Sequence, residues 1–232
     1  MTSSVTAQTK SLSAARINMF LTQIYLLMSV GLVVTGYTAL QTANNLNLVL
    51  RLNLNPWISF GLFILQVIVV IVLSAAALRL SPLAAGLFFL LYAGLTGLTL
   101  SSIFLVYTEA DISSVFWVTA GTFFVTSIFG ALFKKDLSAS GNVLFMLLLG
   151  WTLAWIFSWL FPFSNVNWLL TYAGIALFVG LTAYDTQRLK EIGQQLDTHP
   201  ARGGLVAIGA LTLYLDFINL FLLILRTSRR SQ

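Results

Sequence analysis

The chain has no cysteine and a single histidine in 232 residues. The first absence excludes disulfides, thiolate metal sites and a cysteine nucleophile. The second argues against a histidine-built zinc site, since His199 stands alone in a polar stretch. Charge is also scarce: 8% of residues are Asp, Glu, Lys or Arg, against about 25% in a soluble domain. No signal-peptide cleavage pattern follows the first apolar run, no soluble domain stands out, and no internal repeat is visible. What the chain has instead is apolar sequence. Hydrophobic residues make up 58% of it, the mean hydropathy is +0.92, and long apolar runs mark a multi-span membrane protein. The net charge of +5 does not indicate nucleic acid. The basic residues sit beside apolar runs and form no single basic face, so they read as topology signals.

Residues 1–15 are rich in Ser, Thr and Ala and are expected to form a disordered tail. Residues 16–228 then form a single domain of seven spans, with 229–232 as a C-terminal tail. Met19–Leu40 is too long for a signal-peptide core and reads as an uncleaved first span. Gln41–Pro56 is an Asn-rich loop holding Arg51. Trp57–Leu78 is the second span, with Arg79 at its end and Ser81-Pro82 marking the turn. Leu83–Val106 is the third, with Ala93, Gly97 and Ser101 as a small-residue face for close helix contact. Glu109 and Asp111 form a short acidic loop. Ile112–Phe133 is the fourth span, with Thr122, Thr126 and Gly130 on a similar face, followed by Lys134-Lys135-Asp136. Val143–Phe161 is the fifth, ended by Pro162; its Trp151, Trp155 and Trp159 stripe is lipid-facing or packing surface rather than a ligand box. Trp168–Gln187 is the sixth, and a polar loop, Lys190–Gly204, leads to the seventh, Leu205–Arg226. The fold class is an all-α integral membrane protein.

Basic residues set the orientation. Eight fall on the N-terminal side (Lys10, Arg16, Arg79, Lys134, Lys135, Arg188, Lys190, Arg202) and four on the other (Arg51, Arg226, Arg229, Arg230). The N-terminus is therefore expected in the cytoplasm and the C-terminus outside.

The seventh span carries an ionisable residue where none is comfortable. Asp216 is 11 residues beyond Leu205, roughly 16 Å along a helix and near the middle of a hydrocarbon layer about 30 Å thick. A carboxylate there costs at least ~2.5 kcal/mol and must face protein or water. Gly209, Thr212, Asp216 and Asn219 lie on one stripe, which is expected to face other helices, leaving the Leu, Phe and Ile remainder to lipid or packed protein.

Asp185, near the end of the sixth span, is the carboxylate that can meet Asp216. The two helices run antiparallel, and if the sixth continues through Leu189 or Ile192 the depths match. Two close carboxylates repel when both are ionised, so one holds a proton and the pair titrates as a unit. Such a pair serves as a pH sensor, a proton relay or a site for a hard, oxygen-seeking cation. Bland readings stand beside this one. Arg188 can pair with Asp185 along the same helix, Asp216 can be structural glue, and Arg79 can be a snorkelling interfacial residue.

The stretches Ala183-Tyr184-Asp185-Thr186-Gln187 and Leu213-Tyr214-Leu215-Asp216-Phe217-Ile218-Asn219-Leu220-Phe221, with Thr96–Leu100 reading T-G-L-T-L, resemble the signatures of the Bax-inhibitor family. The resemblance covers nearly the whole chain. It implies a seventh helix surrounded by the other six, and a pH-sensitive calcium leak of a bacterial inner membrane. Asp185 and Asp216 would be its hydrogen-bonded pH-sensing pair and line the calcium path, Arg79 would be the latch, and Tyr184, Thr212 and Asn219 would form a supporting polar face. Calcium is the transported species and no cofactor is expected. The partners are the lipid bilayer, calcium ions and protons.

The rival is a non-transporting regulator that binds a membrane protease or a cell-death factor. An intramembrane aspartyl protease fits less well. Tyr184-Asp185 matches one half of its motif, but Leu213-Tyr214-Leu215-Asp216 lacks the glycines that admit a peptide. The chain is therefore not expected to be an enzyme.

Overall fold

The computed structural model of the protein describes residues 2–77, 79–133, 138–160, 167–195 and 202–228. Among them there is no strand. The helices are α1 Thr2–Ala43, α2 Leu46–Leu54, α3 Pro56–Ala76, α4 Pro82–Leu100 with a 3-10 turn at Ser101–Leu105, α5 Glu109–Leu132, α6 Ser138–Leu160, α7 Asn167–Gln195 and α8 Arg202–Ser228. Among the described residues, seven segments are long and apolar enough to cross a membrane: Ala15–Ala43, Pro56–Ala76, Pro82–Leu105, Glu109–Leu132, Ser140–Ser158, Asn167–Gln195 and Gly203–Ser228. The all-α, seven-span class read from the sequence is the one observed. Leu78, Lys134-Lys135-Asp136, Phe161-Pro162, His199 and the 229–232 tail lie outside the described residues.

Several boundaries differ from expectation. α1 begins at Thr2, ahead of the apolar run, and residues 2–15 contain no Gly or Pro to stop a helix. The Asn-rich loop contains α2, because its asparagines act as caps. Asn45 Oδ1 accepts from the Leu48 N–H at 3.1 Å, and Asn55 Oδ1 accepts from Trp57 N–H at 3.0 Å ahead of α3, where Pro56 takes the first turn. Glu109 and Asp111 are not in a loop but in the first turn of α5, where negative charge suits the helix dipole.

The chain divides into two compact units. One is Met1–Thr108 with Glu191–Tyr214, the other Glu109–Lys190 with Leu215–Gln232. In the first, the Ala93, Gly97 and Ser101 stripe is buried as expected. Gly97 sits on Thr38 and the Thr35 carbonyl of α1, and the Thr35 hydroxyl donates to the Ala93 carbonyl at 2.9 Å. Tyr214 closes this core. Its hydroxyl lies 2.6 Å from that of Thr35, and its ring meets Phe89 and Tyr92 edge-on at 5.5 and 6.0 Å.

In the second unit, Leu177, Phe178, Leu181, Leu220 and Leu223 form the core between α7 and α8. The buried face of α5 is Val115, Thr119, Phe123, Ser127 and Gly130. Of the expected stripe only Gly130 is fully buried. Thr122 and Thr126 are rotated off this face and bond to their own helix, because Phe123 packs on Phe217 at 5.5 Å and sets the rotation. Trp151 and Trp155 face protein. Trp151 Nε1 donates to the Leu170 carbonyl at 2.7 Å, its indole packs tightly on Gly174, and the Arg226 guanidinium stacks 4.2 Å from the Trp155 ring centre. The side chain of Trp159 lies outside the described residues.

Candidate functional site

α7 does not stop at Gln187 but runs to Gln195. Its closing residues, QRLKEIGQQ, hold no proline, and their long side chains favour helix. Asp185 therefore lies 10 residues before the end of α7 (195 − 185), and Asp216 lies 14 residues after the start of α8 (216 − 202). At 1.5 Å per residue these depths are about 15 and 21 Å. Gly174 packs against Leu223 while Asp185 meets Asp216, so the helices are antiparallel and the depths converge.

The two carboxyl groups are hydrogen-bonded to each other. Ionised carboxylates only accept, so this bond requires a proton on one of the two. Asp216 is 5% exposed, and its Oδ2 is buried without a hydrogen-bond partner among the described residues. Asp185 is only half-buried and feels the charge of Arg188, which is exposed three residues further along α7. The pair thus has one enclosed member and one nearer to water.

The other candidate residues are placed as follows. Tyr184 is half-buried, and its ring and hydroxyl lie on Gly141 of α6. Thr212 donates to the Ile208 carbonyl at 3.0 Å and Asn219 to the Leu215 carbonyl at 2.9 Å, both within α8. α8 is buried or half-buried from Gly203 to Leu225, not on one stripe alone; a helix that is apolar all round packs in protein. Its buried Leu and Phe residues, among them Leu211, Leu213, Phe217 and Leu220, face protein. Arg79 is exposed in the turn after α3, its backbone N–H bonded to the Ala76 carbonyl at 2.8 Å. It belongs to the first unit and the pair to the second.

Two residues near the pair were not singled out by the sequence. Gln187 Nε2 donates to the Phe133 carbonyl at 3.1 Å, and Lys190 Nζ donates to the Ala131 carbonyl at 2.7 Å. They satisfy carbonyls that the end of α5 leaves open, and a cation there also suits the helix dipole. Beside them, Gly130 touches the backbone of Ala183, where a Cβ would fall 2.8 Å from the Ala183 Cα. Their three-residue spacing on α7 was the available signal.

Among the described residues no group of three or more His, Asp or Glu side chains gathers as a metal cage. The pair offers at most four carboxyl oxygens, whereas calcium takes six to eight ligands. It is suited to holding a proton or to touching a passing cation.

Seven apolar helices among the described residues, two of them carrying a mutually bonded aspartate pair, define a multi-pass membrane protein. Residues 17–232 match the family model described as inhibitor of apoptosis-promoting Bax1, and the chain belongs to this Bax-inhibitor family. It is 47% identical over 214 residues to the inner membrane protein YbhL of Escherichia coli K12, covering 91% of this chain and 92% of that one. It is 37% identical over 210 residues to an uncharacterized protein of Borreliella burgdorferi, covering 90% of each. It is also 33% identical over 217 residues to an uncharacterized membrane protein of Streptococcus pyogenes, covering 93% of this chain and 94% of the other.

Proposed function

We propose that the protein is a pH-sensitive calcium leak of the bacterial inner membrane, with Asp185 and Asp216 as the sensor. The observation that carries this reading is the Asp185–Asp216 hydrogen bond deep within two span-length helices. A proton held there keeps the pair singly charged and bonded. Its loss puts two negative charges side by side, where they repel each other and attract a hard dication. Either effect biases the packing of α7 on α8, which is how a proton becomes a gate. Calcium is the substrate, and no resident cofactor is invoked. Arg79 is the latch in this reading, taken from the family pattern. YbhL is an inner membrane protein by name, and the positive-inside bias puts the N-terminus in the cytoplasm and the C-terminus outside.

The protein acts without catalysis in this reading. Leu213 and Tyr214 ahead of Asp216 are fully buried, which supports the view that no peptide lies along that backbone. The test is calcium entry into proteoliposomes of the purified chain between roughly pH 5 and 8, beside Asp185→Asn and Asp216→Asn. The expected outcome is a pH-dependent leak whose pH response flattens in both variants. Unchanged flux and pH response in both sinks the sensor. No leak at any pH favours the regulator of a membrane protease or cell-death factor, to which the family description points.

A further inference from the structure

Among the described residues, the short helix α2 is the one element that neither spans nor fits the leak. It lies between the end of α1 and the start of α3 and packs on α4 and the 3-10 turn as well. The ends of three spans, α1, α3 and α4 with its turn, converge there. By alternation all three lie on the same side of the bilayer, so α2 sits at the bilayer surface. Val49 is buried beneath it, and Ser59 Oγ of α3 donates to the Leu52 carbonyl at 2.7 Å, which fixes α2 on the spans.

The outer surface of α2 is not that of a solvated loop. Leu46, Leu50 and Leu54 form one stripe at four-residue steps, with Leu46 57% and Leu54 73% exposed. Asn47 and Arg51 form the adjacent stripe, both exposed. Leu50, Arg51, Leu54, Asn55, Pro56 and Trp57 line one shallow groove, and Trp57 is 83% exposed. Among the described residues no carboxylate pairs with Arg51. A cation, an indole and two leucines thus share one groove at the end of the first span and the start of the second.

We infer that this groove binds an anionic phospholipid, the phosphate held by the Arg51 guanidinium and an acyl chain lying along Leu50, Leu54 and Trp57. The chemistry is complementary at each end. A guanidinium meets a phosphate through paired N–H donors, the indole suits the headgroup boundary, and a leucine stripe beside a polar one is the pattern of a helix lying in the interface plane. The site is independent of the aspartate pair and of any leak.

The test uses the full chain in nanodiscs and in detergent. Because the protein has no cysteine, Leu54→Cys and Asn47→Cys each give a single labelling site. Nitroxides there are read by collision with oxygen and with a water-soluble nickel chelate. The label at position 54 is expected to meet oxygen, that at 47 the chelate. Retention of phosphatidylglycerol is measured by native mass spectrometry, with phosphatidylcholine and inorganic phosphate as comparisons. Arg51→Gln is expected to weaken phosphatidylglycerol binding about tenfold. Arg51→Lys is expected to lose less, since it keeps the charge without the fork. Equal phosphatidylglycerol retention in Arg51→Gln, chelate access at position 54 equal to that at 47, or full competition by inorganic phosphate would each overturn the assignment.

Discussion

Asp216 and Asp185 share one hydrogen bond that needs a donor. An asparagine at 216 supplies that donor permanently and matches the carboxyl in shape. Asp216→Asn is therefore expected to keep the fold, with a thermal midpoint in detergent within a few degrees of wild type, while leaving position 216 without a titratable group. Asp216→Ala leaves Asp185 without its partner and opens a void, so it is expected to lose about 1–3 kcal/mol. Equal melting of the two variants would show that the bond contributes nothing to the fold. Gly130 is a second residue where one atom decides. A Cβ there meets the Ala183 backbone, and backbone does not step aside as a side-chain tip does. Gly130→Ala is expected to destabilise by roughly 1–3 kcal/mol, read in the same melts. Gly121, nine residues earlier on α5, has nothing within 4 Å of such a Cβ. Gly121→Ala is expected to be neutral or stabilising by up to about 1 kcal/mol, through helix propensity alone.

At the scale of elements, the end of α5 depends on α7. Lys190 and Gln187 reach across to the carbonyls of Ala131 and Phe133, so the length of α7 beyond Gln187 is what holds α5 closed. Lys190→Met keeps the aliphatic stem but removes the donor. It is expected to raise amide hydrogen exchange in the last turn of α5 severalfold, corresponding to about 1 kcal/mol, and to leave Phe217–Leu225 of α8 unchanged. Uniform exchange across both helices would mean the contact is incidental. This extension of α7 also marks what was legible in the sequence. Apolar runs located every span, because a helix in lipid must be apolar over its whole length. Run ends did not locate helix ends: Arg188, Lys190 and Glu191 break the hydropathy of α7 without breaking its hydrogen bonds. α2 was hidden because asparagine signals both loop and cap, and only neighbouring N–H groups decide which. The buried face of α5 was misjudged because Thr122, Thr126 and Gly130 are small, but Phe123 packing on Phe217 chose the rotation. Depth and antiparallel order allowed Asp185 to meet Asp216 only if α7 continued beyond Gln187, and a hydrogen bond between them was what the family resemblance implied. The Gln187–Lys190 clamp left only its three-residue spacing on α7 as a signal, since its acceptors are backbone carbonyls with no trace in side-chain identity.

For the whole molecule, an odd number of spans forces the two termini to opposite sides of the membrane, and every inter-span segment alternates. Asn55, between the first and second spans, and Ser81, between the second and third, must therefore face opposite sides. The basic-residue count says which is which. Arg79 beside Ser81 belongs to the richer set and Arg51 beside Asn55 to the poorer, so Ser81 is expected on the cytoplasmic side. The missing cysteine makes this directly testable. Asn55→Cys is expected to react with a membrane-impermeant maleimide in intact cells, and Ser81→Cys to react only after permeabilisation. In that expected orientation the end of α7 at Gln195 would lie on the cytoplasmic side, the sixth span having begun outside. Asp185, about 15 Å from that end, would then be expected to exchange protons with the cytoplasm rather than with the outside. Labelling at Asn55 only after permeabilisation would invert the topology, and the half-buried member of the pair would then sample external rather than cytoplasmic pH.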